Sequence, residues 1–248
     1  MRRPRVVLAR RPGPDGAVRL DPAATHHLTT VLRLRPGARV VGVDPGGQVW
    51  ELELGAADRD GCSAQVCGEL APSPPAAVAV TLAVAVPRGG RMDWLVEKAV
   101  ELGVESLQPL LAERSSPGGG APEARLSRWT RLARAAAEQC GRAQVPLVAA
   151  ARSLDEVLDG FAGPCLLADT AGAAAAPSEA ARSILPASRL LLLVGPEGGF
   201  SGRERAAALA AGALPIGLGP RVLRVETAAL AALVLVTAAL GGLEGAPA

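Results

Sequence analysis

Two segments near the C-terminus hold the residues best suited to chemistry. They are Gly195-Pro196-Glu197-Gly198-Gly199-Phe200 and Leu218-Gly219-Pro220-Arg221-Val222-Leu223-Arg224-Val225-Glu226-Thr227-Ala228. Each follows an apolar run that reads as a buried parallel strand, at 190–194 and 214–218, and each opens into a helix. In an open α/β sheet, ligands bind outside the carboxyl ends of the strands. Two such loops side by side make one pocket walled by backbone amides. The spacing does not suit a P-loop, which needs Gly, four residues, then Gly-Lys-Ser/Thr. From Gly195 the corresponding positions are Phe200 and Ser201. A dinucleotide fingerprint needs a third glycine or alanine, but Gly217-Leu218-Gly219-Pro220-Arg221 is followed there by Val222. Glycines alone fit two tight strand-to-helix turns equally well.

The side chains between the glycines narrow the chemistry. Gly198 and Gly199 let a ligand approach the backbone with no Cβ in the way. Pro196 and Pro220 remove unfolded-state freedom from the loops. Glu226 stands where a carboxylate can act as a base or an orienting group, or simply favour a helix N-terminus. Arg221 and Arg224 can stabilise a developing anion or grip a phosphate, and Arg224 can instead pair with Glu226.

These loops need an α/β scaffold, and the pattern after residue 77 supplies one. Strands are expected at 78–86, 104–111 and 165–168, with helices at 92–102, 125–140 and 226–240 between and after them. Ser153 with Glu156, and Ser201 with Glu204, read as capping boxes. The segment 228–240 is strongly apolar but too short to span a membrane, so it reads as a helix buried on all sides. Residues 171–176 are alanine-rich and read as a loose surface loop.

Before the Pro-rich stretch 71–76 the pattern is β. Strands are expected at 38–43, 49–54 and from 62 through 66, with a short helix at 26–33, together a small β-barrel. Residues 1–40 carry nine arginines against Asp15 and Asp21, a local net of +7, while the remainder is net −5. That asymmetry suggests phosphate contacts beginning in the N-terminal module. Of the basic residues all but Lys98 are arginine. In a chain otherwise built on arginine, that one compact ammonium is either a chosen contact or an ordinary surface residue. The four cysteines, Cys62, Cys67, Cys140 and Cys165, show no CxxC and no histidine at ligand spacing, so no metal is expected. Free thiols and the lack of an apolar signal core point to the cytoplasm, with no membrane partner.

Taken together, the two C-terminal segments resemble the cofactor loops of the SPOUT class of S-adenosylmethionine-dependent RNA methyltransferases, and within it the RsmE family. Arg91-Met92-Asp93-Trp94-Leu95-Val96-Glu97-Lys98 through Leu102-Gly103-Val104, Glu113-Arg114-Ser115, Glu138-Gln139-Cys140-Gly141-Arg142 and His26-His27-Leu28-Thr29-Thr30-Val31-Leu32-Arg33 fit the same family in the same order. The resemblance implies an α/β fold: a PUA-like RNA-binding β-barrel domain over residues 1–72, then a SPOUT-type, trefoil-knotted parallel-sheet methyltransferase domain over 77–248. It implies a homodimer acting on N3 of a uridine in 16S ribosomal RNA, as naked small-subunit RNA or in the assembled subunit. The implied S-adenosylmethionine contacts are Leu193, Val194, Gly195, Pro196, Glu197, Gly198, Gly199, Leu218, Gly219, Leu223, Arg224 and Thr227. Arg221, Arg224 and Glu226 are the catalytic candidates. His26, Arg33, Arg35, Arg91, Lys98, Arg114 and Arg142 are the RNA-binding candidates. Two departures stand out. Ala168-Asp169-Thr170 stands where the family often ends a strand with histidine, and Ser116-Pro117-Gly118-Gly119-Gly120 interrupts the loop after Ser115. Another RNA target, such as a ribose 2′-hydroxyl, and a ribosome-assembly binder without catalysis remain alternatives.

Overall fold

The computed structural model describes residues 3–71, 78–115, 121–142, 144–169 and 174–243. The Pro-rich stretch from residue 72 and the Ser116–Gly120 interruption lie outside the described residues. The chain divides into two compact units, residues 1–74 with 137–145, and residues 75–136 with 146–248.

The first unit is one five-stranded sheet in the order β1-β3-β4-β5-β2. Its strands are β1 (Arg5–Val7), β2 (Ala17–Leu20), β3 (Arg39–Val43), β4 (Val49–Asp58) and β5 (Gly61–Leu70). β1 joins β3 in parallel and the other pairs are antiparallel. Along β4 the sequence alternates, so Leu52 and Leu54 enter the core with Val6, Leu20, Leu28 and Val40 while the Glu53 side stays wet. Gly42 is required by packing, because a Cβ there would lie 2.5 Å from Leu52 Cδ1.

The helix expected at 26–33 starts earlier and ends differently. α1 spans Pro22–His26, capped by Asp21, whose carboxylate accepts from Ala24 N at 2.7 Å. Asp at the N-cap with Pro at the first helical position is a strong local start signal. The chain then widens into a π-helical turn, His27–Val31, and Arg33 follows in the left-handed region at φ 55°.

The second unit is a six-stranded, all-parallel sheet in the order β11-β9-β10-β6-β7-β8. In chain order its elements are β6 (Ala79–Ala85), α2 (Arg91–Glu101), β7 (Ser106–Leu110), α3 (Pro122–Cys140), β8 (Leu147–Val148), α4 (Leu154–Asp159), β9 (Cys165–Ala168), α5 (Pro177–Ser183), β10 (Arg189–Val194), α6 (Gly202–Ala210), β11 (Leu214–Ile216) and α7 (Val225–Ala239). The end of α3 clusters with the first unit, where Glu138 accepts from Val7 N at 3.2 Å. Strands buried on both faces are continuously apolar, as in the Leu190–Leu193 run of β10, which is at most 1 % exposed.

From β6 the chain lays down β7 and β8 on one side, then crosses to build β9, β10 and β11 on the other. Such a reversal leaves a crevice at the strands' carboxyl ends. Both expected capping boxes are present, Ser153 with Glu156 and Ser201 with Glu204.

Two expectations need correction. α7 is not buried on all sides. Ala229, Ala232, Leu233 and Val236 are buried, but Thr227, Leu235 and Ala238 are exposed because the helix rests on the sheet with α2 and α5 flanking it. The segment Ala174–Ala176 is not loose either. Ala175 N donates to the Pro215 carbonyl at 3.0 Å and Gly217 N to the Ala175 carbonyl at 3.0 Å, tying it to β11. Residues 170–173 lie outside the described residues.

Candidate functional site

Strand register builds the site. Val194 at the end of β10 pairs with Ala168 at the end of β9, which pairs with Ile216 at the end of β11. Three parallel strands therefore finish at one level, and their three loops leave side by side. The pocket above them is lined by Ala168 and Asp169 from the first loop. The second loop gives Val194, Gly195, Pro196, Glu197, Gly199 and Phe200. The third gives Leu218, Gly219, Arg221, Val222 and Leu223, and Val225 and Ala228 of α7 close the wall.

Local backbone rules shape the loops. The 195–200 loop turns back on itself, with Gly199 N donating to the Pro196 carbonyl at 2.8 Å. A Cβ on Gly195 would meet the Phe200 ring at 3.0 Å, so only glycine lets the ring fold back. Gly199 has φ 68°, so a side chain there would be strained, although a Cβ would project into open space.

The second loop is pinned from outside by a buried carboxylate. Glu204, 1 % exposed, accepts from Ser201 N at 2.8 Å and from Glu113 N, in the loop after β7, at 2.9 Å. Arg114 donates to the Gly198 carbonyl at 2.9 Å. Arg203 bridges Glu113 at 2.6 Å and Asp155 at 2.7 Å. Hydrogen bonds from Ser201 and then Arg203 hold the Glu113 carboxyl below the usual range. Cys165, under the pocket floor, is no nucleophile, since burial pushes its thiol up to about 12.

The candidate residues fall into three groups. Val194, Gly195, Pro196, Glu197, Gly199, Leu218, Gly219, Arg221 and Leu223 line the pocket together. Leu193 is fully buried beneath it, and Gly198 faces Arg114, whose Cδ would lie 3.5 Å from an added Cβ. Arg224, Glu226 and Thr227 are outside the lining. Arg224 is the exposed N-cap of α7. Glu226 is buried and pairs not with Arg224 but with Arg91 at 3.4 Å, while its second oxygen has no hydrogen-bond partner among the described residues.

Lys98 pairs with Glu101 at 2.6 Å, half-exposed on α2. In the first unit, His26, Arg33 and Arg35 are exposed, and Arg142 is half-buried. The other arginines of the N-terminal stretch are largely engaged. Arg3 and Arg39 meet Glu51, Arg19 meets Asp58, and Arg11 stands 3.8 Å from Asp44. Over residues 1–71 ten arginines face eight acidic residues, so the +7 of the first forty falls to +2. Arg33 and Arg35 have no charged partner among the described residues.

The site residues that sequence reasoning missed are Ala168, Asp169, Phe200, Val222, Val225 and Ala228. Asp169 directly follows a recognised strand, so a rule collecting the residue after each parallel strand would have found it. Among the described residues, no group of three or more His, Cys, Asp or Glu could hold a metal, and no helix is long and apolar enough to cross a membrane.

Comparison with known proteins matches residues 74–237 to an RNA methyltransferase domain family and residues 20–67 to an RNA methyltransferase PUA domain family. The chain is 34% identical over 242 residues to the ribosomal RNA small subunit methyltransferase E of Synechocystis, covering 95% of this chain and 78% of that protein. A putative methyltransferase from Legionella pneumophila, solved with bound cofactor SAM, is 28% identical with TM-score 0.87, over 96% of this chain and 98% of that one. The ribosomal RNA small subunit methyltransferase E of Neisseria gonorrhoeae, bound to S-adenosyl methionine, is 30% identical with TM-score 0.84, over 94% and 96%.

Proposed function

The chain belongs to the RNA methyltransferase family, within its small-subunit methyltransferase E (RsmE) branch, and from that premise we propose that it methylates N3 of a uridine in 16S ribosomal RNA with S-adenosylmethionine as donor. The observation that carries this reading is the convergence of three parallel strand ends on one pocket lined by backbone, apolar side chains and a few charges.

The lining fits the proposed cofactor. Val194, Val222, Leu223, Val225 and Ala228 offer an apolar wall for an adenine. Asp169, Glu197 and Arg221 offer both signs of charge to the amino-acid end. The open space beyond the Cα of Gly199 is where a ligand would approach the backbone. When bound, the cofactor supplies an electrophilic methyl group.

The chain's own residues have two tasks. One is to lower the cost of removing the N3 proton of uridine, which titrates well above neutral pH. Arg221 on the pocket wall, and Arg224 at the exposed start of α7, can stabilise the resulting anion at a uracil carbonyl. Glu226, buried and committed to Arg91, suits orienting that arginine better than collecting a proton. The other task is holding RNA, which falls to Arg33, Arg35, His26 and Arg142 in the first unit and to Arg91 in the second. The knot and the homodimer implied by the family belong to the same proposal.

The test is methyl transfer to small ribosomal subunits from a strain lacking the corresponding gene, followed by mass mapping of 16S RNA. The expected product is a single 3-methyluridine. Methyl groups found only on ribose would overturn the reading.

A further inference from the structure

The segment that follows α1 in the first unit carries features that folding alone does not explain. Its neck is rigid. Leu28 is fully buried, and Leu34 packs against the same core. Leu34 N–H donates to the Leu28 carbonyl at 2.9 Å, and Leu32 N–H donates to the His27 carbonyl at 2.9 Å. Arg35-Pro36-Gly37-Ala38 then forms a turn, with Ala38 N–H donating to the Arg35 carbonyl at 3.0 Å and Gly37 at φ 87°. Between the two leucine anchors the chain displays Val31 at 58% exposure, Leu32 at 41% and Arg33, with exposed Arg35 just beyond. No acidic residue occurs from Pro22 to Val43. Arg33 stands at the helix stop, where a left-handed residue closes the last turn and glycine is the usual occupant. Among the described residues it is the one non-glycine with positive φ. The π-helical turn His27–Val31 before it is a second irregularity, of a kind frequent at functional sites. The chain thus keeps a strain that glycine would relieve, and gains a guanidinium directly after two exposed apolar side chains.

The inference drawn from this rests on the RNA reading above and deepens it. We propose that residues 31–35 form a reader of unpaired RNA, in which Val31 and Leu32 cover the face of an unstacked nucleobase while Arg33 and Arg35 take the phosphates on either side of it. In a paired A-form helix the base faces are stacked out of reach, and the surface offers sugar edges and phosphates. Two arginines would grip such a helix, but Val31 and Leu32 would bury nothing against it. An unpaired nucleotide presents both surfaces at once, an apolar face and an anionic backbone. A second copy of the chain is a poorer occupant. A two-fold contact through this patch would set its arginines against their own counterparts, with no acid within the segment to separate them. The hydrogen-bonded neck also fixes the backbone before RNA arrives, so little ordering entropy is lost on binding. The tip therefore selects loops and single strands over duplex, and does so through the first unit alone.

The experiment is fluorescence anisotropy of the full chain across a salt series with two probes, single-stranded oligouridylate of about 20 nucleotides and an RNA duplex of the same length. The unmodified protein is expected to bind the single strand more tightly. The double variant Val31→Ser, Leu32→Ser is expected to weaken single-strand binding about tenfold and duplex binding less than about twofold. Its salt slope should be unchanged, because apolar contact releases no counterions. Arg33→Gly is expected to raise the melting temperature by a few degrees while lowering the salt slope by about one on both probes. Opposite signs in stability and binding separate a residue kept for RNA from one kept for the fold. Equal losses on both probes in the double variant, or no loss on either, would overturn the proposal. So would a fall in melting temperature for Arg33→Gly, or loss of a dimer by light scattering in the double variant, which would make the patch a contact between copies. Equal binding of both probes by the unmodified protein would sink this inference alone, whereas binding of neither would remove the RNA reading beneath it as well.

Discussion

At the scale of single residues, the pocket depends on where a Cβ can and cannot be tolerated. Gly198 and Gly199 are adjacent and look equivalent in the sequence, but only Gly199 has a left-handed backbone and open space in front of its Cα, and only Gly199 lines the pocket. Gly199→Val is therefore expected to lower S-adenosylmethionine affinity at least tenfold, about 1.4 kcal/mol or more, with the melting temperature falling by a few degrees at most. The same change at Gly198, where an added Cβ meets the flexible Arg114, should cost less. Calorimetry on both variants checks the order, and a larger loss at Gly198 would relocate the contact. The loop glycines were legible because their demand is local. Asp169 was seen as a departure and not as a pocket residue, because what brings it to the site is the alignment of β9 with β10 and β11, and no local pattern encodes a parallel register. The Arg91–Glu226 pair was equally hidden, since its partners lie on α2 and α7 and meet only after folding.

Among the elements, α6 is the one whose N-terminus does most for the site. Its capping box is written in the sequence as Ser201 and Glu204 and appears as expected. What the sequence does not reveal is that Glu204 also accepts the Glu113 amide, so that one carboxylate joins the loops after β7 and β10. Removing it leaves the buried Ser201 amide and the part-buried Glu113 amide without that partner. Glu204→Ala is expected to destabilise the protein by about 2 kcal/mol, more than an ordinary cap loss of ~1 kcal/mol. Chemical denaturation measures the difference. A loss below that of Ser201→Ala would mean that the second hydrogen bond contributes nothing.

α7 raises a different question. Leu235 is 43% exposed on it and Trp94 50% exposed on the neighbouring α2. Large apolar groups left in water on two packed helices are suited to contact with a second copy. Leu235→Asp is expected to shift the species seen by light scattering at micromolar concentration from dimer to monomer. A monomer before the mutation would count against the dimer.

Over the whole molecule, charge count and charge availability differ. The N-terminal excess was legible as a sum, but cross-strand acids such as Glu51 and Asp58 consume most of it, leaving Arg10, Arg33 and Arg35 without a charged partner among the described residues. Phosphate contacts release counterions, so affinity should fall with salt in proportion to their number. The double variant Arg33→Glu, Arg35→Glu is expected to weaken RNA binding and reduce the salt slope by about two, with cofactor affinity unchanged. Arg224→Ala should instead reduce single-turnover methylation by on the order of a hundredfold while RNA affinity stays within about twofold. Filter binding across a salt series, beside single-turnover assays, separates them. Parallel loss of binding and turnover in both variants would end the division of labour.

The same preference for arginine has an analytical consequence. Lys98, on the exposed side of α2 beside Glu101, is the one side-chain amine in the whole chain. A bifunctional amine reagent cannot join two lysines within one molecule. Any Lys98–Lys98 cross-link therefore reports two copies held together, and a single dye on that amine gives a native distance marker across whatever assembly they form.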